Sequence, residues 1–331
     1  MHDETLDDGR SAHTRSWRDG KIIDSGFALD QVSEHADSDG LVWVDVVDPG
    51  SGTLETIAAE LGLEPHSVED AISLHERPKA DRYENHLFVN CHAMRLTDGG
   101  DIDVCKVSIF VTKHVLVTVR SKKWFGVGPI VARWDSEPEL ARNGTAGLLY
   151  GLLDVVVDGQ FDAVQEMDDR LDALEDILFD NRPQPREAQR RTFTLRKSLV
   201  RIRRMVLPMR EVLTTLMHRD TELIGDGLRT SYQDIYDHTI RASEWADSLR
   251  DMVTTIYETN LSLQDQRLNT VMKKVTSWAA IIAIPTAITG FYGQNVPYPG
   301  FSQAWGFWLS TVVIVVGTVG LYIGFKHRDW L

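Results

Sequence analysis

Apolar and β-branched residues run almost without interruption through Leu41-Val42-Trp43-Val44-Asp45-Val46-Val47 and stop at Asp48-Pro49-Gly50, which predicts a strand and a turn. The same reading predicts strands over His86–Met94, Val104–Thr112 and His114–Arg120, joined at Asp98-Gly99-Gly100 and Thr112-Lys113-His114. Leu54–Leu61 and His66–Leu74 carry the spacing of short helices. Residues 41–145 therefore form an α/β domain, preceded by a polar N-terminal segment, 1–40, that is loose at its start.

Past Asn143-Gly144 the period changes to that of helices. Leu148–Asp180 and Arg186–His218 predict an antiparallel hairpin within residues 146–230, the second arm interrupted at Pro208. Its first arm is acidic (Glu166, Asp168, Asp169, Asp172, Glu175, Asp176) and its second basic (Arg190, Arg191, Arg196, Lys197, Arg201, Arg203, Arg204), which suits cross-helix pairing. From Ser231 to Tyr292 the helical pattern is continuous, with Pro285 its one proline. Sixty helical residues make a rod of about 90 Å, far longer than a bilayer needs. A stalk helix, 231–274, thus runs on into a membrane span.

That span lies in the most unusual stretch of the chain. Val275–Phe325 holds no Asp, Glu, Lys or Arg, whereas the rest carries all 84 charged residues. Such avoidance of charge fits a bilayer. Residues 275–292 and 304–325 are the two spans, with an uncharged outer loop, 293–303, between them. Lys273 and Lys274 flank the first, and the basic tail 326–331 follows the second, with Lys326 and Arg328. By the positive-inside rule both termini face the cytoplasm of a cell (inner) membrane.

Composition narrows the function. The net charge is −14, and the membrane flanks and tail contribute +3, so the remainder stands at −17. A soluble part this acidic argues against nucleic acid, which needs a basic footprint. Residues 1–40 lack the apolar core of a signal peptide, so the N-terminal 270 residues are not exported. Cys91 and Cys105 are too few for a disulfide framework and read as buried structural thiols. No phosphate loop or nucleophile–base pair stands out, so an enzyme is disfavoured.

On the first span Met272, Thr276, Ala279, Ala283, Thr286 and Gly290 recur at spacings of four and three, a stripe of small or mildly polar groups. Trp278, Ile281, Ile284 and Ile288 occupy the other face. Small residues let helices pack closely in lipid. They equally suit the lining of a pore, which two spans can enclose only in an oligomer.

Tyr292-Gly293-Gln294-Asn295, then Pro299, a second span, and the ending Lys326-His327-Arg328-Asp329-Trp330-Leu331 resemble the CorA family of divalent-cation channels. So do Pro208-Met209-Arg210-Glu211-Val212-Leu213, Tyr236-Asp237-His238-Thr239-Ile240, and Val68-Glu69-Asp70 with Arg77-Pro78-Lys79. The resemblance covers nearly the whole chain past residue 40. It implies a funnel-shaped homopentamer with an α/β cytosolic domain, a long-helix stalk and two transmembrane helices. The family's pore positions fall on Met272, Val275, Ala283, Thr286 and Asn295. Gly293, Gln294 and Asn295 would recognise hydrated Mg²⁺ at the outer mouth. Neutral amides accept hydrogen bonds from an ion's water without trapping the ion. Asn295 is also a residue that caps helix ends.

Two departures from the family bear on the metal. Gln294 stands where the family's triplet carries Met, as in zinc-transporting relatives, and the outer loop lacks the acids that many relatives carry. The resemblance further implies a regulatory Mg²⁺ held between subunits by Asp234 with Asp98. Ser231-Tyr232-Gln233-Asp234 equally fits a capping box. The expected function is passive Mg²⁺ transport gated by cytosolic Mg²⁺, with no cofactor beyond that ion. Its partners are other copies of the chain, membrane lipid and divalent cations. The alternatives are a proton-coupled zinc or broad divalent transporter (Co²⁺, Ni²⁺, Zn²⁺) and a non-transporting scaffold.

Overall fold

The computed structural model describes residues 12–36, 40–73, 76–179, 185–219, 224–294 and 297–331. A seven-stranded mixed sheet organises the N-terminal part. Its strands are β1 (Ala12–Arg18), β2 (Lys21–Ser25), β3 (Gly40–Val47), β4 (Lys79–Arg82), β5 (Leu87–Leu96), β6 (Ile102–Val111) and β7 (Val115–Arg120), in the order β2-β1-β3-β7-β6-β5-β4. Only β3 and β7 run parallel; the other neighbours are antiparallel. Helices α1 (Val32–His35), α2 (Ser51–Leu61) and α3 (Pro65–Ile72) lie in the connections before β4. After β7 come α4 (Gly128–Ser136), α5 (Pro138–Arg142), α6 (Gly144–Phe179), α7 (Pro185–Arg219), α8 (Arg229–Tyr292) and α9 (Ala304–His327).

Strand pleating sorts the side chains into two cores. Leu41, Trp43, Leu87, Val89, Val107, Ile109 and Leu116 point to one face, where α4, α5, α6, α7 and the first turns of α8 cover them. Val42, Val44, Val46, Phe88, Phe110, Val117 and Val119 point to the other, under α1, α2 and α3. The central strands are buried on both faces, which is why they read as continuous apolar runs.

Residues 12–25, read from sequence as part of a polar segment, form β1 and β2. What β1 buries is Thr14, Ser16 and Trp17, two of them hydroxyl residues, so hydropathy carried little sign of a strand. The edge strand β4 is charged for the same practical reason: Lys79 pairs there with Asp70, Glu76 and Asp81 at 2.7, 3.1 and 3.2 Å.

The Asp70 and Arg77-Pro78-Lys79 segments are held by buried donors. Asn90 Nδ2 donates to Glu76 O and Arg77 O at 3.2 and 2.9 Å. Lys106 Nζ donates to the carbonyls of Asp70, Ala71 and Ser73 at the end of α3, at 2.9, 2.6 and 2.5 Å. These carbonyls lack helical partners, and an ammonium there also meets the negative end of the helix dipole. Burial nevertheless pulls the Lys106 pKa down to about 8.

A charged pair sits in the sheet itself. Arg120 donates from Nε and Nη2 to Asp45 at 2.8 and 2.7 Å, Thr118 Oγ1 adds a bond to the same carboxylate at 2.6 Å, and another Arg120 nitrogen reaches Phe125 O. Cys91 and Cys105 are buried free thiols, as expected. Burial raises both their pKa values.

Two details of the helices differ from the sequence reading. Pro208 lies inside α7 without interrupting it. The flanking Val206, Met209 and Val212 are almost fully buried, and that packing holds the helix across the missing N–H. The expected pairing across the hairpin is not what these basic residues show: Arg201 pairs with Asp101 of the β5–β6 turn at 2.9 Å, and Arg203 with Asp247 of α8 at 2.6 Å.

The chain divides into two units, residues 1–254 and 255–331. The second holds the remainder of α8 and all of α9, the two helices among the described residues long and apolar enough to cross a membrane. Within it, Ile284 packs on Gly317, where an added Cβ would come 3.2 Å from Ile284 Cγ2. The helices touch through large-to-small contact, as is common in lipid.

Candidate ion pathway and regulatory carboxylates

The stripe on α8 is unoccupied by α9. Met272, Val275, Thr276, Ala279, Ala283, Thr286 and Gly290 are all exposed, Met272 and Val275 by 62% and 59%. The intrachain contact falls on the opposite side, where Ser277 and Ile281 are buried and Ile284 and Ile288 half-buried. The small residues are therefore not spent on packing the two spans of one chain. The isoleucines of the other face serve that contact, Ile284 against Gly317.

The stripe is weakly polar by construction. The Thr286 hydroxyl donates back to Ile282 O at 2.9 Å, and Thr289 does the same to Pro285 O at 2.7 Å. Each hydroxyl thus has its donor satisfied and leaves oxygen lone pairs free to accept. No described residue of the stripe is ionisable.

At its end α8 closes through Gly293 N–H to Thr289 O at 2.8 Å and Gln294 N–H to Phe291 O at 3.3 Å. A Cβ on Gly293 would approach Thr289 O to 3.0 Å, so a residue without one fits best. Gln294 is exposed; Asn295 lies outside the described residues. Aromatic contacts brace the turn. Tyr298 OH donates to Tyr292 O at 2.8 Å, and its ring meets those of Tyr292 and Phe301 edge-on at 5.0 and 5.3 Å. Beyond it, Gly300 (φ +90°) and Gly306 touch so closely that a Cβ on Gly306 would lie 2.5 Å from Gly300 O.

Asp234 is exposed on α8, five residues into a helix that starts at Arg229 after a 3-10 turn at Asp226–Leu228. Ser231 is thus inside the helix, and the capping-box reading of Asp234 falls away. Asp234 instead faces α6. Burial raises the Asp154 carboxyl's pKa, with Asp158 and Asp234 adding to the effect and Arg133, 3.1 Å away, opposing it. His238 Nδ1 stands 3.8 Å from Asp158 Oδ1. Sequence reasoning missed Asp154 and Asp158; their i, i+4 spacing on one helical face was the available signal.

Asp98 has different surroundings. It sits exposed on the β5–β6 turn, lining a cavity with Arg170, Arg190 and Arg191. Among the described residues no group of three or more His, Cys, Asp or Glu could hold a metal ion within one chain. One copy therefore does not assemble Asp98 and Asp234 into a complete site.

The family model described as CorA-like Mg²⁺ transporter protein matches residues 38–327. The chain belongs to the CorA family. It is similar to the cobalt/magnesium transport protein CorA of Thermotoga maritima, 29% identical over 307 residues, covering 92% of this chain and 87% of the relative. A zinc transport protein ZntB of Yersinia enterocolitica is 23% identical over 272 residues, 81% of this chain and 82% of its own. Among solved structures, the complete CorA magnesium transporter of Methanocaldococcus jannaschii aligns with a TM-score of 0.79 at 23% identity, covering 97% of this chain and 99% of that one. CorA membership makes this a membrane transporter of divalent cations. The α/β domain, long helix and paired apolar helices are the CorA fold.

Proposed function

We propose that the protein is a passive Mg²⁺ channel formed by five copies of the chain. The observation that carries this reading is the exposed stripe from Met272 to Gly290, left open while α9 takes the isoleucine face of α8. Its 18-residue rise corresponds to about 27 Å, close to the hydrocarbon thickness of a bilayer of about 30 Å. Copies of α8 meeting along it would enclose a path lined by Met272, Val275, Thr276, Ala279, Ala283, Thr286 and Gly290, with α9 outside.

At the mouth, Gly293, Gln294 and Asn295 from each copy present neutral amide oxygens. Mg²⁺ sheds water reluctantly, so such a ring selects the hydrated ion by accepting hydrogen bonds from its waters. The absence of fixed charge along the path keeps the ion from being trapped. With both termini cytoplasmic in the inner membrane, the membrane potential drives entry, worth about 4.6 kcal/mol per 100 mV for a dication. Closure follows cytosolic Mg²⁺ binding between copies at Asp234 and Asp98.

A second reading, a zinc or broad divalent transporter coupled to protons, draws support from the similarity to ZntB and from Gln294. One experiment separates them: uptake of Mg²⁺, Co²⁺, Ni²⁺ and Zn²⁺ into liposomes, with and without Asn295→Ala. The channel reading expects potential-driven Mg²⁺ entry whose selectivity collapses in the variant. Mg²⁺ flux indifferent to Asn295→Ala would sink the mouth assignment, and Zn²⁺ flux that follows an imposed pH gradient would favour the transporter.

A further inference from the structure

The carbonyl of Ile281 has no N–H four residues on from which to accept. α8 runs straight through Pro285, whose ring nitrogen carries no hydrogen. In a bilayer a backbone group left in this way is costly, and a hydroxyl on a neighbouring helix is a common remedy. Pro285 lies on the side of α8 that α9 covers: Ile281 is 6% exposed, and Ile284, Pro285 and Ile288 are half-buried. The orphan oxygen points from Ile281 toward Pro285 and therefore opens toward α9.

A matching donor stands on α9. The Thr318 hydroxyl is buried and has no hydrogen-bond partner among the described residues. Other hydroxyls of the two spans behave differently: those of Ser277, Thr286, Thr289, Ser310 and Thr311 each donate to a carbonyl three or four residues back. The two unmet groups also share a level. Gly317 touches Ile284, where an added Cβ would come 3.2 Å from Ile284 Cγ2. The spans are antiparallel, so Thr318, one residue on, lies about 1.5 Å further toward Ile281. Gly317 has no side chain to fix Ile284 in one position, so a small shift of the packed spans can join donor and acceptor.

We propose that Pro285 makes α8 a two-state hinge, and that a hydrogen bond from Thr318 Oγ1 to the Ile281 carbonyl latches the second state. The arrangement described above is the unlatched one. The stripe lies on both sides of the hinge, with Met272 to Ala283 before it and Thr286 and Gly290 after it, so a bend there realigns the ion path. That consequence rests on the reading of the stripe as a pore lining; the latch itself does not.

The test is the distance between nitroxides on Met272→Cys and Gly290→Cys in one copy, diluted among unlabelled copies of the full chain in lipid nanodiscs. It is measured by double electron–electron resonance with and without millimolar Mg²⁺. Eighteen helical residues set the labels about 27 Å apart, within reach of the method. The expected result is two distances in the parent. Thr318→Val keeps the shape and removes the donor, and it should shift their ratio by about threefold or more; Thr318→Ser should leave the ratio near the parent's. Pro285→Ala returns an N–H to the Ile281 carbonyl, so adding Thr318→Val to that variant should change nothing. A single distance in the parent under both conditions overturns the proposal. So does a Thr318→Val effect that is the same in Pro285→Ala as in the parent. Mg²⁺ uptake by the unlabelled parent is read in parallel: uptake alongside a single distance sinks the hinge and leaves the channel standing, whereas two distances without uptake do the reverse.

Discussion

Ala283 stands near the middle of the first span, eight residues past Val275 and exposed on the stripe. About 12 Å of helix separate it from either end, too far for a long side chain to lift its charge out. Ala283→Lys therefore places an ammonium in the path, and Ala283→Gln places a neutral group of similar bulk. A dication passing about 6 Å from one ammonium in a water-like medium is repelled by about 1.4 kcal/mol. That alone is about a tenfold loss of rate, and each further copy of the charge adds to it. The assay is Mg²⁺ entry into proteoliposomes loaded with a Mg²⁺-sensitive dye under a fixed potassium diffusion potential. Ala283→Gln should retain flux within about threefold of the parent, and Ala283→Lys should lose at least about tenfold more. Equal fluxes in the two variants would refute the placement of this face on the ion path, since bulk is matched and only charge differs.

Other consequences of the structure are equally open to measurement. Arg120→Met leaves Asp45, which is 0% exposed, with Thr118 as its main partner; breaking such a pair costs about 3–5 kcal/mol, read as a lower melting temperature by tryptophan fluorescence, and Asp45→Leu in the same chain should recover most of it. Burial lowers the His92 pKa to about 4, from the ordinary value of 6.5. The unfolded chain then binds the extra proton between those values, so stability present above pH 6.5 is lost as pH falls toward about 4; His92→Gln should flatten that part of a melting-temperature profile. Gly306→Leu cannot fit beside Gly300 O and should destabilise the outer loop by about 1–3 kcal/mol, seen as earlier melting in detergent. Asp234→Ala should weaken inhibition of uptake by millimolar internal Mg²⁺, and unaltered inhibition would remove Asp234 from gating.

The central strands and the helices were legible because each buries what its period announces. Trp43 and Leu116 fall on one sheet face, Val44 and Val117 on the other, and the alternation of cores follows from the pleat. β1 escaped because Thr14 and Ser16 go inside, where Thr14 Oγ1 bonds Phe27 O at 2.7 Å. Pro208 misled because a proline's local penalty of about 3 kcal/mol is outweighed by the burial of Val206, Met209 and Val212. The spacing of the α8 stripe could be read directly, but not which face α9 would choose; that depended on Gly317 meeting Ile284. Asp154 and Asp158 offered the sequence only their i, i+4 spacing, and their nearness to Asp234 came from the packing of α6. The cavity beside Asp98 draws on three separate segments, a juxtaposition that no local pattern encodes.

The two thiols have a practical corollary. Cys91 and Cys105 are shielded inside the sheet, and burial holds both in the unreactive protonated form. The wild-type chain is therefore already a silent background for maleimide or nitroxide chemistry. A reporter cysteine introduced anywhere from residue 272 to 290 would carry the whole signal, so opening and closing could be followed by spectroscopy without first engineering the native protein.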